Sequence, residues 1–281
     1  MRLRAAHDRP VVALRITKTT RCVLGAALGL AATSACTPSG EAVVAAPRTE
    51  ARPRPVSLRT RTVGEGNDLV VVLLHGYGAS GDDLVPFARS LDAPPGTRFV
   101  MPEAPIDAAG IVGGRAWWPL DVAGLRAARE RRGWRAMARA RPEGVDVARE
   151  SVVALVRELE RPGGAGRARR VVLAGFSQGA MLAGDVAFES DVPLAGVALL
   201  SGTPVASDAW TRGFSRRAGL PVLVTHGRAD PLLPFEAAED LSERLGARGP
   251  VTWVPFDGGH TIAPAARTAL ETFLRELAAG R

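Results

Sequence analysis

The sequence predicts an α/β protein: a mostly parallel sheet covered by helices on both faces. Three observations carry this. From Val63 onward, apolar runs of strand length alternate with helix-length amphipathic segments. The runs are rich in Val and Leu without polar alternation, the mark of strands buried on both faces. With 46% apolar residues over 281 positions, the chain can also build a sizeable core.

The strand-like runs are DLVVVLLHG (68–76), TRFVMPEAP (97–105), RRVVLAG (169–175), AGVALLSG (195–202), LPVLVTHG (220–227) and VTWVPFDGG (251–259). Helical patterns follow at 144–160, 178–190, 234–246 and 265–280. In the first of these, Val147, Val152, Leu155, Val156 and Leu159 stack along one face. Such alternation means parallel strands joined by helical crossovers. One domain is expected over 61–281, and no internal repeat is visible.

The formal charge of +7 is unevenly placed. Residues 1–35 hold six basic side chains and one acid, leaving 30 basic and 28 acidic side chains for the rest. The excess belongs mainly to the N-terminal segment, so no nucleic-acid partner is expected. That segment reads as a secretory signal: a basic stretch, an apolar run from about Val23 to Ala32, then small residues up to Cys36. It resembles a bacterial lipoprotein signal, with Cys36 the residue to be acylated, although Thr33 stands where leucine is usual. Export is expected, to a periplasmic or cell-surface location, with membrane anchoring through a lipidated Cys36; ordinary cleavage near Cys36 is the alternative. Residues 36–60, rich in Ala, Pro, Arg and Thr, read as a flexible tether. Cys22 and Cys36 are the only cysteines, and four histidines make up the whole set. A disulfide in the body and a metal cluster are both unexpected.

A sheet of this kind binds ligands beyond the carboxyl ends of its strands. His75, Ser177, Asp230 and His260 each follow an apolar run. Ser177 sits in GFSQG between a buried-strand run and a helix, where Gly175 and Gly179 permit a turn too tight for side chains. A serine hydroxyl needs a base, and the base needs an orienting acid. His7 lies in the leader; His75 and His226 each precede a glycine in a strand-end turn, where a locally bonded histidine is common. His260, in DGGH after the last strand, is the remaining base. Asp230, in HGRADPLLP, is the preferred acid, with Asp208 and Asp257 as rivals.

The segments LLHGYGASGDDL, PEAP, RAWWPLD, GFSQGAML, HGRADPLLP and DGGH, in this order and spacing, resemble the phospholipase/carboxylesterase family of α/β-hydrolases, which includes the acyl-protein thioesterases. The resemblance runs from about Leu69 to the C-terminus. It implies a serine hydrolase of carboxylic esters or thioesters, working on small-molecule or lipid substrates without cofactor or metal. By the family pattern, Ser177, Asp230 and His260 form a triad, and the backbone N–H groups of Tyr77 and Gln178 form the oxyanion hole. Two fixed donors of this kind meet the charge that builds on the carbonyl oxygen without reorganising.

In the family, the segment holding Trp117 and Trp118 lies beside the site. Adjacent residues of an extended segment point to opposite sides, so one tryptophan is expected inward and the other at the pocket as an apolar wall, with two core tryptophans as the alternative. Arg115 is a candidate for an anionic substrate group, with a solvated arginine as the alternative. Residues 121–141 look like an insertion: seven arginines surround Leu125, Trp134, Met137 and Ala138. A basic amphipathic helix there can cover the site, touch an anionic membrane, or rest its apolar side on the body. A catalytically inactive scaffold, kept as a surface binding lipoprotein, is the competing functional reading, although all three triad candidates stand.

Overall fold

The computed structural model describes residues 54–130, 133–161, 169–217 and 219–280. The expected leader and residues 36–53 of the expected tether lie outside these. The strands, in chain order, are β1 (Thr60–Val63), β2 (Leu69–Leu74), β3 (Thr97–Pro102), β4 (Ile106–Asp107), β5 (Arg115–Ala116), β6 (Arg170–Phe176), β7 (Gly196–Leu200), β8 (Val222–Gly227) and β9 (Val251–Phe256). The helices are α1 (Val85–Ser90), α2 (Val122–Glu130), α3 (Trp134–Arg139), α4 (Val145–Glu160), α5 (Gln178–Glu189), α6 (Ser207–Ser215), α7 (Phe235–Gly246) and α8 (Pro264–Ala278). Seven strands form the main sheet in the order β1-β3-β2-β6-β7-β8-β9, and β4 pairs with β5 separately. Only β1 runs antiparallel to its neighbour in the main sheet; the other pairings are parallel.

The absence of polar alternation in the apolar runs has a direct cause. Along β2, Val70, Val72 and Leu74 enter one core with Val152 and Val156 of α4 and Leu182 and Val186 of α5. The intervening Leu69, Val71 and Leu73 enter the other, with Ala88 of α1 and Leu270 and Leu274 of α8. Successive side chains leave a strand on opposite faces, and both faces are covered here. Each of these buried valines and leucines stabilises the fold by about 2 kcal/mol. All six strand-like runs are strands of the main sheet, and all four helical patterns are helices.

The remaining elements are short. β1, α1 and the β4–β5 pair hold between two and six residues each, too few to show a period. The arginine-rich stretch forms two short helices, α2 and α3, instead of one basic helix.

One buried carboxylate ties several helices together. Asp185, on α5, has no exposed surface. Its oxygens accept from Trp210 Nε1 of α6 at 3.1 Å, Arg149 Nη1 of α4 at 2.9 Å and Arg141 Nη1 at 3.3 Å. A charge taken out of water needs such partners to be tolerated. Arg141 also pairs with Asp146, so the chain leaving α3 is bound to both α4 and α5. The Ala206 N–H, just before α6, donates to Ala140 O at 3.0 Å.

Candidate active site

The turn at Ser177 is strained in the way the sequence requires. Ser177 has φ 55° and ψ −118°, left-handed for a non-glycine residue, between the last residue of β6 and the first of α5. Such a conformation costs about 1–3 kcal/mol and persists because its surroundings hold it. Its N–H donates to Leu200 O of β7 at 3.0 Å, and its C=O accepts from Ala180 and Met181, opening α5. A Cβ added at Gly175 would lie 2.2 Å from Gly179 O, and one at Gly179 would lie 2.2 Å from Leu74 O. Strand and helix approach too closely here for any side chain.

Three distant residues meet at this turn. Ser177 Oγ lies 2.8 Å from His260 Nε2, and His260 Nδ1 lies 2.7 Å from Asp230 Oδ2. His260 comes from the loop between β9 and α8, and Asp230 from the turn after β8. The two loops are sewn together by Arg228 N–H to Phe256 O at 2.9 Å and Ala229 N–H to Gly258 O at 3.0 Å. The Phe176 ring packs against the His260 imidazole with centroids 5.0 Å apart. Asp230 is buried, which alone would raise its carboxyl pKa. The N–H groups of His226, His260 and the Leu233 backbone outweigh burial and hold it well below the usual carboxylate range. The carboxylate is therefore ionised and turned toward the imidazole.

The rival acids lie elsewhere. Asp208 pairs with Arg139 and Arg244 at 3.6 Å each. Asp257 projects into solvent near Arg228. His75 and His226 are buried and bonded locally, as their places before glycines imply. The His75 Nε2 accepts from Ala104 N–H at 3.0 Å, so its proton sits on Nδ1, 2.8 Å from Gly76 O. Burial lowers its pKa and keeps it neutral. The ring thereby fixes the turn that presents Tyr77. Neither the Tyr77 N–H nor the Gln178 N–H has an acceptor among the described residues. The first of these sits beside the serine turn in a fixed loop, and the second is at the start of α5, where backbone donors have no intrahelical partner.

Trp117 and Trp118 require a correction. Both are buried, at 2% and 1% exposure, and neither lines the cavity beside Ser177. Both rings pack in the core, and the Gln178 side chain holds their backbone: its Oε1 accepts from Trp117 N–H at 3.0 Å while Nε2 donates to Trp118 O at 2.9 Å. Trp117 Nε1 also donates to His75 O at 2.9 Å. This pair of residues braces the site from within the core. Arg115, partly exposed, is engaged within the protein: it donates to Ala104 O and Pro105 O and pairs with Asp107.

The cavity above Ser177 measures about 610 Å³. Its apolar wall comes from Leu84 and Phe87 near α1, Ile111 between β4 and β5, Met181 of α5, Leu232 and Ile262. Val122, Leu125 and Arg126 of α2 line it too, so the 121–141 segment supplies one wall. Most of these residues sit in loops and short elements, without a sequence pattern to single them out. Among the described residues, no group of three or more His, Cys, Asp or Glu side chains is placed to hold a metal ion.

A mostly parallel sheet, a strained serine turn after β6 and a cavity beyond the strand ends define an α/β-hydrolase. The chain belongs to the phospholipase/carboxylesterase family of ester hydrolases, whose family model matches residues 62–278. It is 30% identical over 206 residues to acyl-protein thioesterase 1 of Eremothecium gossypii, covering 69% of this chain and 81% of that one. To acyl-protein thioesterase 1 of Gibberella zeae it is 30% identical over 112 residues, and there it spans about half of the relative's length, 48%. Among solved structures, esterase PE8 is 29% identical with a TM-score of 0.64, over 79% of this chain and 100% of that one. Zea mays acyl-protein thioesterase 2, at 21% identity and a TM-score of 0.61 over 78% of this chain and 99% of that one, shares the fold.

Proposed function

We propose that this protein is an exported serine carboxylesterase that works through an acyl-enzyme, with Ser177 as nucleophile, His260 as general base and acid, and Asp230 as the group that orients the imidazole. The observation that carries the reading is the continuous contact from Ser177 Oγ to His260 Nε2 at 2.8 Å and from His260 Nδ1 to Asp230 Oδ2 at 2.7 Å. Ser177 Oγ attacks the acyl carbon and its proton passes to His260 Nε2. The negative charge on the carbonyl oxygen is met by the N–H groups of Tyr77 and Gln178, each worth about 3–4 kcal/mol in the transition state. Collapse of the intermediate breaks the bond to the leaving oxygen or sulfur, which takes the proton from His260. Water then gives a proton to His260 and attacks the acyl carbon, releasing the acid and restoring Ser177.

The apolar cavity supports an ester or thioester with an aliphatic or aryl acyl group, from a small molecule or a lipid. The relatives named as acyl-protein thioesterases support the inclusion of thioesters. The leader sequence supports export, and Cys36 supports a lipid anchor. Two experiments test the reading. A fluorophosphonate probe is expected to label the wild type and not a folded Ser177→Ala variant, and turnover of p-nitrophenyl butyrate is expected to fall on the order of 10⁶-fold in that variant. A folded wild type that neither reacts with the probe nor turns over such esters overturns it.

A further inference from the structure

We propose that His226 is a positioning residue for the triad, holding the turn that carries Asp230 and lying against the carboxylate oxygen that meets His260. The inference rests on the triad reading above. Asp230 Oδ1 accepts from the N–H groups of Leu232 and Leu233 at 2.8 and 2.9 Å. Oδ2 faces two nitrogens, His260 Nδ1 at 2.7 Å and His226 Nε2 at 3.3 Å. The same His226 nitrogen lies 3.2 Å from Leu233 O. A carbonyl and an ionised carboxylate both only accept, so His226 Nε2 carries the proton. The hydrogen bond goes to Leu233 O, and Asp230 Oδ2 lies 3.3 Å from the same nitrogen.

The other ring nitrogen is the costly one. His226 is wholly buried, and its Nδ1 has no hydrogen-bond partner among the described residues. A buried acceptor without a donor destabilises a fold, and an aromatic hydrocarbon would fill the same place without that penalty. What the imidazole adds here is the Nε2–H. Through Leu233 O it holds the backbone whose own N–H groups hold Oδ1. Beside Oδ2 it hinders rotation of the carboxylate away from His260. β8 makes this possible by ending one residue after His226, so that the chain returns within four residues to bring Asp230 beside the ring nitrogen.

The test compares His226→Phe, which keeps a ring and loses the donor, with His226→Gln, whose amide N–H reaches about as far as Nε2. For both, and for wild type and Ser177→Ala in the same assay, kcat and KM on p-nitrophenyl butyrate, the melting temperature and the low-field proton resonance of His260 Nδ1–H are measured. In His226→Phe, kcat is expected to fall about tenfold, the factor one weakened hydrogen bond is worth. KM stays within about twofold, as loss of a transition-state interaction alone requires, and the low-field resonance shifts or broadens. His226→Gln restores most of the rate. If the Phe variant does not fold, His226→Asn replaces it, because the shorter amide cannot reach; it must lose what Gln keeps. Wild-type kcat in every variant, or equal losses in Phe (or Asn) and Gln with the resonance unmoved, overturns the inference. Activity surviving in Ser177→Ala overturns instead the triad reading beneath it.

Discussion

Replacing Gly179 by alanine tests whether the serine turn is as tightly built as its contacts imply. An added Cβ would lie 2.2 Å from Leu74 O and 2.6 Å from His75 O. Both are backbone atoms at the end of β2, so no side chain can swing aside. Ordinary contact requires more than an ångström of extra room, which only separation of α5 from β2 can supply. Overpacking of this kind costs about 1–3 kcal/mol, or a fall of roughly 2–12 °C in melting temperature for a domain of this size. The displacement falls on the two segments that present the Gln178 and Tyr77 N–H groups, because His75 directly precedes the Gly76–Tyr77 turn. Misplacing reacting groups by about 1 Å costs on the order of 10²-fold in rate. Steady-state hydrolysis of p-nitrophenyl butyrate and a thermal melt measure the two effects, with Gly246→Ala as the control, since a Cβ there meets nothing within 4 Å. A Gly179→Ala protein that melts with the wild type and keeps its kcat/KM would mean that the turn has room to spare.

Two further outcomes follow from the site. The Asp230 carboxyl has a folded pKa below its unfolded value of about 3.9, so the stability it contributes is complete above about pH 5 and is lost as pH falls through the unfolded value toward the folded one; between pH 6 and pH 3 the urea midpoint of the wild type is expected to drop further than that of Asp230→Asn, and equal drops contradict an ionised, hydrogen-bonded carboxylate. Gln178→Ala leaves the Trp117 N–H and Trp118 C=O without partners at about 1–3 kcal/mol each but keeps the Gln178 backbone donor, so urea denaturation should show a large loss of stability while kcat falls far less than in Ser177→Ala.

Much of this site is legible in the sequence because strand ends are. Ser177, Asp230 and His260 each follow an apolar run, and parallel strands bring their carboxyl ends to one edge of the sheet. Trp117 and Trp118 show where such reading fails. Their adjacency implies opposite faces, yet both rings are buried, in a segment whose backbone is held by an amide 60 residues away in the chain, on Gln178. His226 is similar: its place before a glycine marks it as locally bonded, which it is, but its 3.3 Å approach to Asp230 Oδ2 depends on how the next turn folds back. The cavity wall from Leu84, Ile111 and Ile262 lies in segments without a period, where only tertiary packing selects a residue.

The anchoring of Arg141 to Asp185 and Asp146 has a consequence for diversification. Val122, Leu125 and Arg126 face the cavity, while the far end of their segment is bolted to α4 and α5 by charges that never touch the cavity. Between these points α3 is tied to the body as well, through Arg139 to Asp208 and the Ala206 N–H to Ala140 O, so α2 is the part of the segment that carries the cavity wall. Changes at Val122, Leu125 and Arg126 would therefore reshape the cavity while leaving the ion pairs that hold the segment's far end untouched.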